Sequence, residues 1–408
     1  MPQMRLGILA QGMIHWGGGL DFLHLIVDSL VQTADGDELH LLVPGFGYVA
    51  ALRNTLRARR SGGRAAAAGT AMAVAQRFNQ QFPSVEVHRI DSGPMALRGA
   101  ARRLALECLL PALSPPRLIG ATPWIGYLYD FQHRHYPQFF SEKERRSRDR
   151  AFATMTARAR SIIVNARAVA RDVERFCPGT TARVVALPFS PSPRPEWFEE
   201  VPGVREKYAI DRPYFLIANQ FWVHKNHRCA FEAFAMLDSC VDAHLVCTGD
   251  TGDHRHPGYF EELKRDLREA RIIDRVHILG YIPKRDQIEL IKHAIAVVQP
   301  TLFEGGPGGG ATYDAVSLGV PVILSDIPVN REVDLGEVTF FAPDQPAELA
   351  HQMARVAASP PVRPSADTLI RAGYARRVEC GRTLLAAACQ VRTGAAVTAP
   401  AKSWRKES

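Results

Sequence analysis

Residues 296–326 read AVVQPTLFEGGPGGGATYDAVSLGVPVILSD: an apolar strand, a glycine cluster, a helical stretch and a second apolar strand. No other stretch constrains the fold as much, because strand, turn and helix in that order build layered α/β structure. Gly305, Gly306, Gly308, Gly309 and Gly310 carry no Cβ. Successive backbone N–H groups can therefore close on an anion at the N-terminus of a helix beginning near Ala311, where the helix dipole favours negative charge. Glu304 precedes the cluster and Asp314 follows it inside the helix. Ionised carboxylates only accept hydrogen bonds, so this pair suits the hydroxyls of a nucleotide with sugars on either side of its phosphates. The same stretch also fits a dinucleotide fingerprint, Gly306-x-Gly308-x-x-Ala311, with Asp326 at a passable distance for a ribose.

Short apolar strands alternate with amphipathic helical stretches along all 408 residues, which predicts two cores and mainly parallel sheets. The first half offers strands at 5–10, 39–43, 85–90, 118–121, 125–129, 162–165 and 184–187. The second offers them at 214–218, 243–248, 276–279, 295–299, 320–324 and 338–341. A proline-rich spacer, 188–195, separates the two sets and predicts a cleft between two lobes. Two more segments point at that cleft. The strand at 5–10 leads through Gly17, Gly18 and Gly19 into a helix, and the strand at 214–218 leads through Gln220 and Lys225 into another. An ammonium near a diphosphate neutralises charge that grows as a sugar–oxygen bond breaks.

On Glu304, the trailing Gly319-Val320-Pro321-Val322-Ile323 and Lys225, the chain resembles the retaining glycosyltransferases of the GT-B fold, family four. In that signature a second Glu lies eight residues after the first; here Asp314 lies ten residues on. The resemblance implies two Rossmann-like lobes: 1–190 binding acceptor, 205–370 binding nucleotide sugar, 371–392 a helix crossing back, and 393–408 a basic tail. It also implies that Lys225 and the backbone at Gly308, Gly309, Gly310 and Ala311, beside Thr312, meet the donor diphosphate. Glu304 would orient the sugar and Asp314 the ribose. Gly17, Gly18 and Gly19 would approach the diphosphate from the other lobe, and Gln220 stands where many relatives place an Arg. Tyr129-Asp130-Phe131-Gln132-His133 resembles a short stretch at the lip of the family's cleft, making Asp130 and His133 candidates facing the transferred sugar. His15 and Trp16 border the first glycine loop, with His15 a loop or acceptor contact in preference to a general base.

Charge is lopsided. Residues 1–200 hold 25 Lys and Arg against 17 Asp and Glu, whereas residues 201–408 hold 25 of each. The excess lies in clusters around Arg57, Arg102 and the run 143–150; it suits phosphate-rich partners or an anionic membrane surface, and equally a solvated arginine-rich face. No binding of nucleic acid is expected. Seven cysteines show no C-x-x-C pair and suit a reducing cytoplasm, and no stretch is long and apolar enough to span a bilayer. His133-x-His135, His254-x-His256 and Asp35-x-Asp37 lack a third residue at zinc-site spacing or sit in a turn, so no metal and no separate cofactor are assigned.

The expectation is a cytoplasmic α/β GT-B hexosyltransferase, membrane-peripheral at most. It would move a hexosyl unit from a nucleoside-diphosphate sugar to a glycan, lipid-linked or other acceptor, with retention of configuration. An NAD-linked oxidoreductase and a non-catalytic sugar-nucleotide-binding protein remain open beside it.

Overall fold

A computed structural model describes residues 3–14, 17–45, 67–91, 93–237 and 241–393. His15, Trp16, the Arg57 cluster, Cys240 and the tail from 394 lie outside the described residues. Two sheets are present. The first comprises β1 (Arg5–Leu9), β2 (Glu38–Gly45), β3 (Val85–Asp91), β4 (Cys108–Ala112), β5 (Trp124–Tyr127), β6 (Ser161–Val164) and β7 (Arg183–Ala186), in the order β3-β2-β1-β4-β5-β6-β7. The second comprises β8 (Tyr214–Ala218), β9 (His244–Thr248), β10 (Val276–Gly280), β11 (Val297–Gln299), β12 (Val322–Ser325) and β13 (Val338–Phe341), in the order β10-β9-β8-β11-β12-β13.

Every recorded strand pairing is parallel, so the connections must cross over, and the helices that do so cover both faces. That burial explains why the strands read as nearly unbroken apolar runs. β12, Val-Ile-Leu-Ser, and β6, Ser-Ile-Ile-Val, are buried at every position. The six strands expected in the second half are all observed, with ends shifted by at most two residues.

The first half departs once. Residues 118–121, expected as a strand, form a turn in which Leu118 and Gly120 have positive φ and Leu118 is exposed. The strand lies instead at Cys108–Ala112, seated between β1 and β5 and buried throughout. It contains Pro111, a residue that ordinarily counts against a central strand because it removes a ladder donor. Tertiary burial of Cys108, Leu109 and Leu110 outweighs that local cost.

After β7 the 188–195 spacer carries the chain from the first sheet to the second and forms part of the cleft wall through Pro188, Ser192, Pro193 and Arg194. The helix Ala366–Thr393 returns across the first lobe, burying Cys380, Leu384, Ala387 and Ala388 in the core that holds Ile8, Ile26 and Leu30. Gly381 permits this approach: a Cβ there would lie 2.1 Å from the Ser29 carbonyl oxygen. Arg377 on the same helix pairs with Asp28 at 3.0 Å.

The lobes also touch beside the cleft. The Glu332 carboxylate, from the second lobe, accepts the Arg167 and Ala168 amides at 2.8 and 2.7 Å, at the N-terminus of the first-lobe helix Arg167–Phe176. An acid at that end completes orphan N–H groups and complements the dipole. Tyr136 donates its O–H to the Leu302 carbonyl at 3.1 Å.

Candidate functional site

Between the lobes lies a cavity of about 850 Å³, and both glycine stretches reach it, through Gly18 on one side and Gly305, Gly306, Gly309 and Gly310 on the other. The ends of β8 and β11 supply its second-lobe floor. Asn219, just past β8, donates to the Gln299 side chain at the end of β11, and Gln299 Nε2 donates to the Gly308 carbonyl at 2.6 Å. The Gly308 amide donates to Asn330 Oδ1 at 3.0 Å, and the Thr312 hydroxyl donates to the Gly308 carbonyl at 2.7 Å.

Gly308 is therefore locked on both its polar groups by buried side chains, with φ 64°. That refines the expected phosphate nest. Gly308 serves as its foundation, and Thr312, fully buried, faces inward instead of into the cleft. The helix Gly309–Ser317 starts immediately afterwards; the Gly309 amide donates to the Gly306 carbonyl at 3.3 Å, and the Gly310 and Ala311 amides are further first-turn donors with no intrahelical acceptor. Gly310 is exposed to the cleft, whereas Ala311 is nearly covered.

Lys225 and Glu304, 79 residues apart, meet here: the ammonium donates to Glu304 Oε1. Their loops are stitched together below, because the His224 carbonyl accepts both the Leu302 amide at 2.8 Å and the Thr301 hydroxyl at 3.1 Å. Burial, then the charges of Lys225 and Arg255, hold His224 well below the ordinary histidine range, so it is a neutral part of this wall. An ammonium carries three donors and a carboxylate about four acceptor sites, so one mutual bond leaves both groups capacity for a ligand. Gln220 is exposed at the cleft wall.

Asp314 lines the cavity and pairs with Lys284 at 2.5 Å. Lys284 opens the helix that follows β10, and no motif announced it; the signal available was its place beyond the carboxyl end of a parallel strand, where such folds gather ligand-binding groups. Burial raises the Asp314 carboxyl above its ordinary value against the pull of Lys284. Burial also works against the Lys284 charge, but Asp314 and Asp21 more than offset it and hold that pKa up. Asp21 comes from the first-lobe helix Gly17–Val31, near Gly310.

Asp130 faces the cleft, with Oδ1 accepting the Gln132 amide at 2.9 Å and Arg148 at 3.2 Å. Arg148 thus turns inward, so the basic run 143–150 is no single outward face. His133 does not reach the cleft, which corrects its place among the candidate site residues. It is buried among Phe131, Phe140 and Phe152 and bonds Asp149 at 3.0 Å, and burial lowers its pKa despite that carboxylate. In the helical turn Gln132–His135, residues 133 and 135 diverge: His135 bonds Asp172. Asp326, the acid a dinucleotide reading needs, is held by both arms of Arg331 at 2.5 Å.

Residues 203–376 match the family model described as glycosyl transferases group 1. The matched stretch falls on the second lobe. Two curated relatives align over part of the chain. Glycosyltransferase 1 domain-containing protein 1 of Xenopus tropicalis is 31% identical over 169 residues, 41% of this chain and 46% of that protein. The O-antigen chain mannosyltransferase RfbU of Salmonella typhimurium is 28% identical over 131 residues, 32% of this chain and 35% of its own length. The chain thus spans less than half the length of either. Anabaena HepE in complex with UDP-glucose superimposes over 96% of this chain and 99% of its own, with TM-score 0.59 at 16% identity. At that identity the likeness shows the fold, which is GT-B.

Proposed function

We propose that this protein is a retaining glycosyltransferase that moves a hexosyl unit from a nucleoside-diphosphate sugar to a glycan, lipid-linked or other hydroxyl acceptor. The observation that carries it is the Lys225–Glu304 pair in the interlobe cleft, beside the open first turn of the helix Gly309–Ser317. Cation and helix N-terminus together suit a leaving diphosphate, and a carboxylate suits sugar hydroxyls. The family match and the relatives themselves, a mannosyltransferase and a protein in complex with UDP-glucose, support a hexosyl donor.

In this mechanism Lys225 and the Gly310 and Ala311 amides stabilise the diphosphate, Glu304 orients the sugar, and Asp314, with Lys284 beside it, holds the ribose. Gly17, Gly18 and Gly19 approach from the first lobe, whose cleft wall receives the acceptor near Asp130. The glycosidic bond to the phosphate breaks as the acceptor oxygen bonds the anomeric carbon on the same face, and the acceptor proton passes to the departing phosphate. No metal is routed through this step, because Lys225 and the helix end supply the positive charge. A peripheral contact with anionic membrane through the basic first lobe belongs to the same proposal; among the described residues no helix is long and apolar enough to cross a membrane.

The test is a thermal-shift screen against UDP-, GDP- and dTDP-sugars, followed by transfer with the stabilising donor and NMR of the product's anomeric proton. One donor class should raise the transition temperature, since a ligand bound only by the native state stabilises it by mass action. A larger rise with NAD would favour the oxidoreductase, binding without transfer would favour a non-catalytic protein, and an inverted product would overturn retention.

A further inference from the structure

Outside the cleft, the edge strand β3 of the first sheet and its neighbour β2 carry a convergent set of donors. β2 and β3 pair in register with His40 opposite Glu86 and Leu42 opposite His88, so His40, Glu86 and His88 project from one face. His40 Nδ1 lies 3.1 Å from His88 Nε2 and 3.3 Å from Glu86 Oε2, and His88 Nε2 lies 3.3 Å from the same Glu86 oxygen. Among the described residues this is the one group of three His, Cys, Asp or Glu close enough to share an ion.

We propose that His40, Glu86 and His88 form a zinc-class divalent metal site. The three separations nearly trace one face of a tetrahedron, whose edge for metal–ligand bonds of about 2.0–2.1 Å is about 3.3–3.4 Å. Two imidazoles and one carboxylate suit zinc, and the exposed side of Glu86 leaves a fourth position for water. The surroundings fit as well. His40 Nε2 is buried with no hydrogen-bond partner and lies 3.7 Å from Glu38 Oε2, which Arg5 holds at 3.0 Å. A metal on Nδ1 fixes the ring proton on Nε2, aimed at that carboxylate, the usual outer support of a metal-binding histidine.

His40 and Glu86 sit near the starts of their strands, whereas the cleft gathers loops at the strands' far ends, so the ion would tie the edge strand β3 to β2 and take no part in transfer. The second lobe contains a natural control. His244 Nδ1 lies 2.8 Å from His277 Nε2 on β9 and β10, the strands matching β2 and β3 in sheet order, but among the described residues no carboxylate completes a triad there.

The full chain, stripped with a chelator, should take up one equivalent of Zn²⁺ in competition with a chromophoric chelator, and Co²⁺ should give the intense visible absorption of a four-coordinate site. Glu86→Gln and His88→Ala, both at partly exposed positions, should each weaken Zn²⁺ binding at least about tenfold and abolish its effect on the thermal transition. His277→Ala should leave binding unchanged. Wild-type binding no tighter than that of His88→Ala, equal weakening by His277→Ala, or a six-coordinate Co²⁺ spectrum would each overturn the site.

Discussion

Two glycine stretches face the same cleft, and they are held in opposite ways. At Gly17, the start of a first-lobe helix, a Cβ would meet nothing within 4 Å. At Gly305 a Cβ would lie 2.5 Å from the Tyr129 carbonyl oxygen of the opposite lobe; at Gly309, with φ 68°, it would lie 2.9 Å from Gln299 Nε2. At its first residue, then, the first stretch has room to spare, although Gly19 is buried. The second is glycine because lobes, floor and helix crowd onto it, with Gly308 bonded at both N–H and C=O. A run of glycines in sequence therefore signals either open space or close approach, and only the neighbours distinguish them.

If the second wall is the preorganised half of the site, breaking its charges should have the largest effect. Lys225→Ala and Glu304→Ala are each expected to lower transfer at least about a hundredfold, the scale for losing one preorganised electrostatic partner, with folding retained. Steady-state kinetics with the true donor would check this, and near-normal turnover in either folded variant would remove that residue's role.

Crowding at Gly305 comes next. Gly305→Ala should cost about 1–3 kcal/mol, the usual range for overpacking, visible in denaturant unfolding. Asp314→Asn should weaken donor binding by about 1–3 kcal/mol, the range for a buried polar partner lost, as read by calorimetry; Asp314→Glu is expected to be tolerated.

Acid should also loosen this wall. His227, two residues beyond Lys225, is fully buried with neither ring nitrogen partnered, and burial, with help from the Lys225 charge, pushes its pKa down to about 3. The unfolded chain titrates near the ordinary 6.5, so below that pH the unfolded state binds a proton the folded state refuses. Stability is then fully present above about pH 6.5 and falls as the pH drops towards 3. By pH 5.5 this one group should have cost about 1.4 kcal/mol, and His227→Leu should flatten the profile by that amount. An unchanged slope would separate His227 from the wall's acid response. Smallest of all, Gly17→Ala should alter stability by no more than about 0.5 kcal/mol. A loss as large as that of Gly305→Ala would erase the contrast between the stretches.

The order of strands and helices was legible because parallel strands buried on both faces must be apolar throughout, and this periodicity needs no knowledge of neighbours. Second-lobe strands appear where expected, and Lys225, Glu304 and Asp314 all reach the one cavity. What the sequence could not decide were contacts between residues far apart in the chain. β4 forms despite Pro111 because β1 and β5 enclose it. His133 withdraws from the cleft because three phenylalanines and Asp149 surround it, and Lys284 enters it only because its helix packs where Asp314 emerges. His40, Glu86 and His88 carry no recognisable ligand spacing, since the register of two strands separated by a long crossover is what brings them together. Local preference and periodicity act over a few residues and can be read along the chain, whereas burial, ion pairing and ligand convergence depend on which distant segments share a volume.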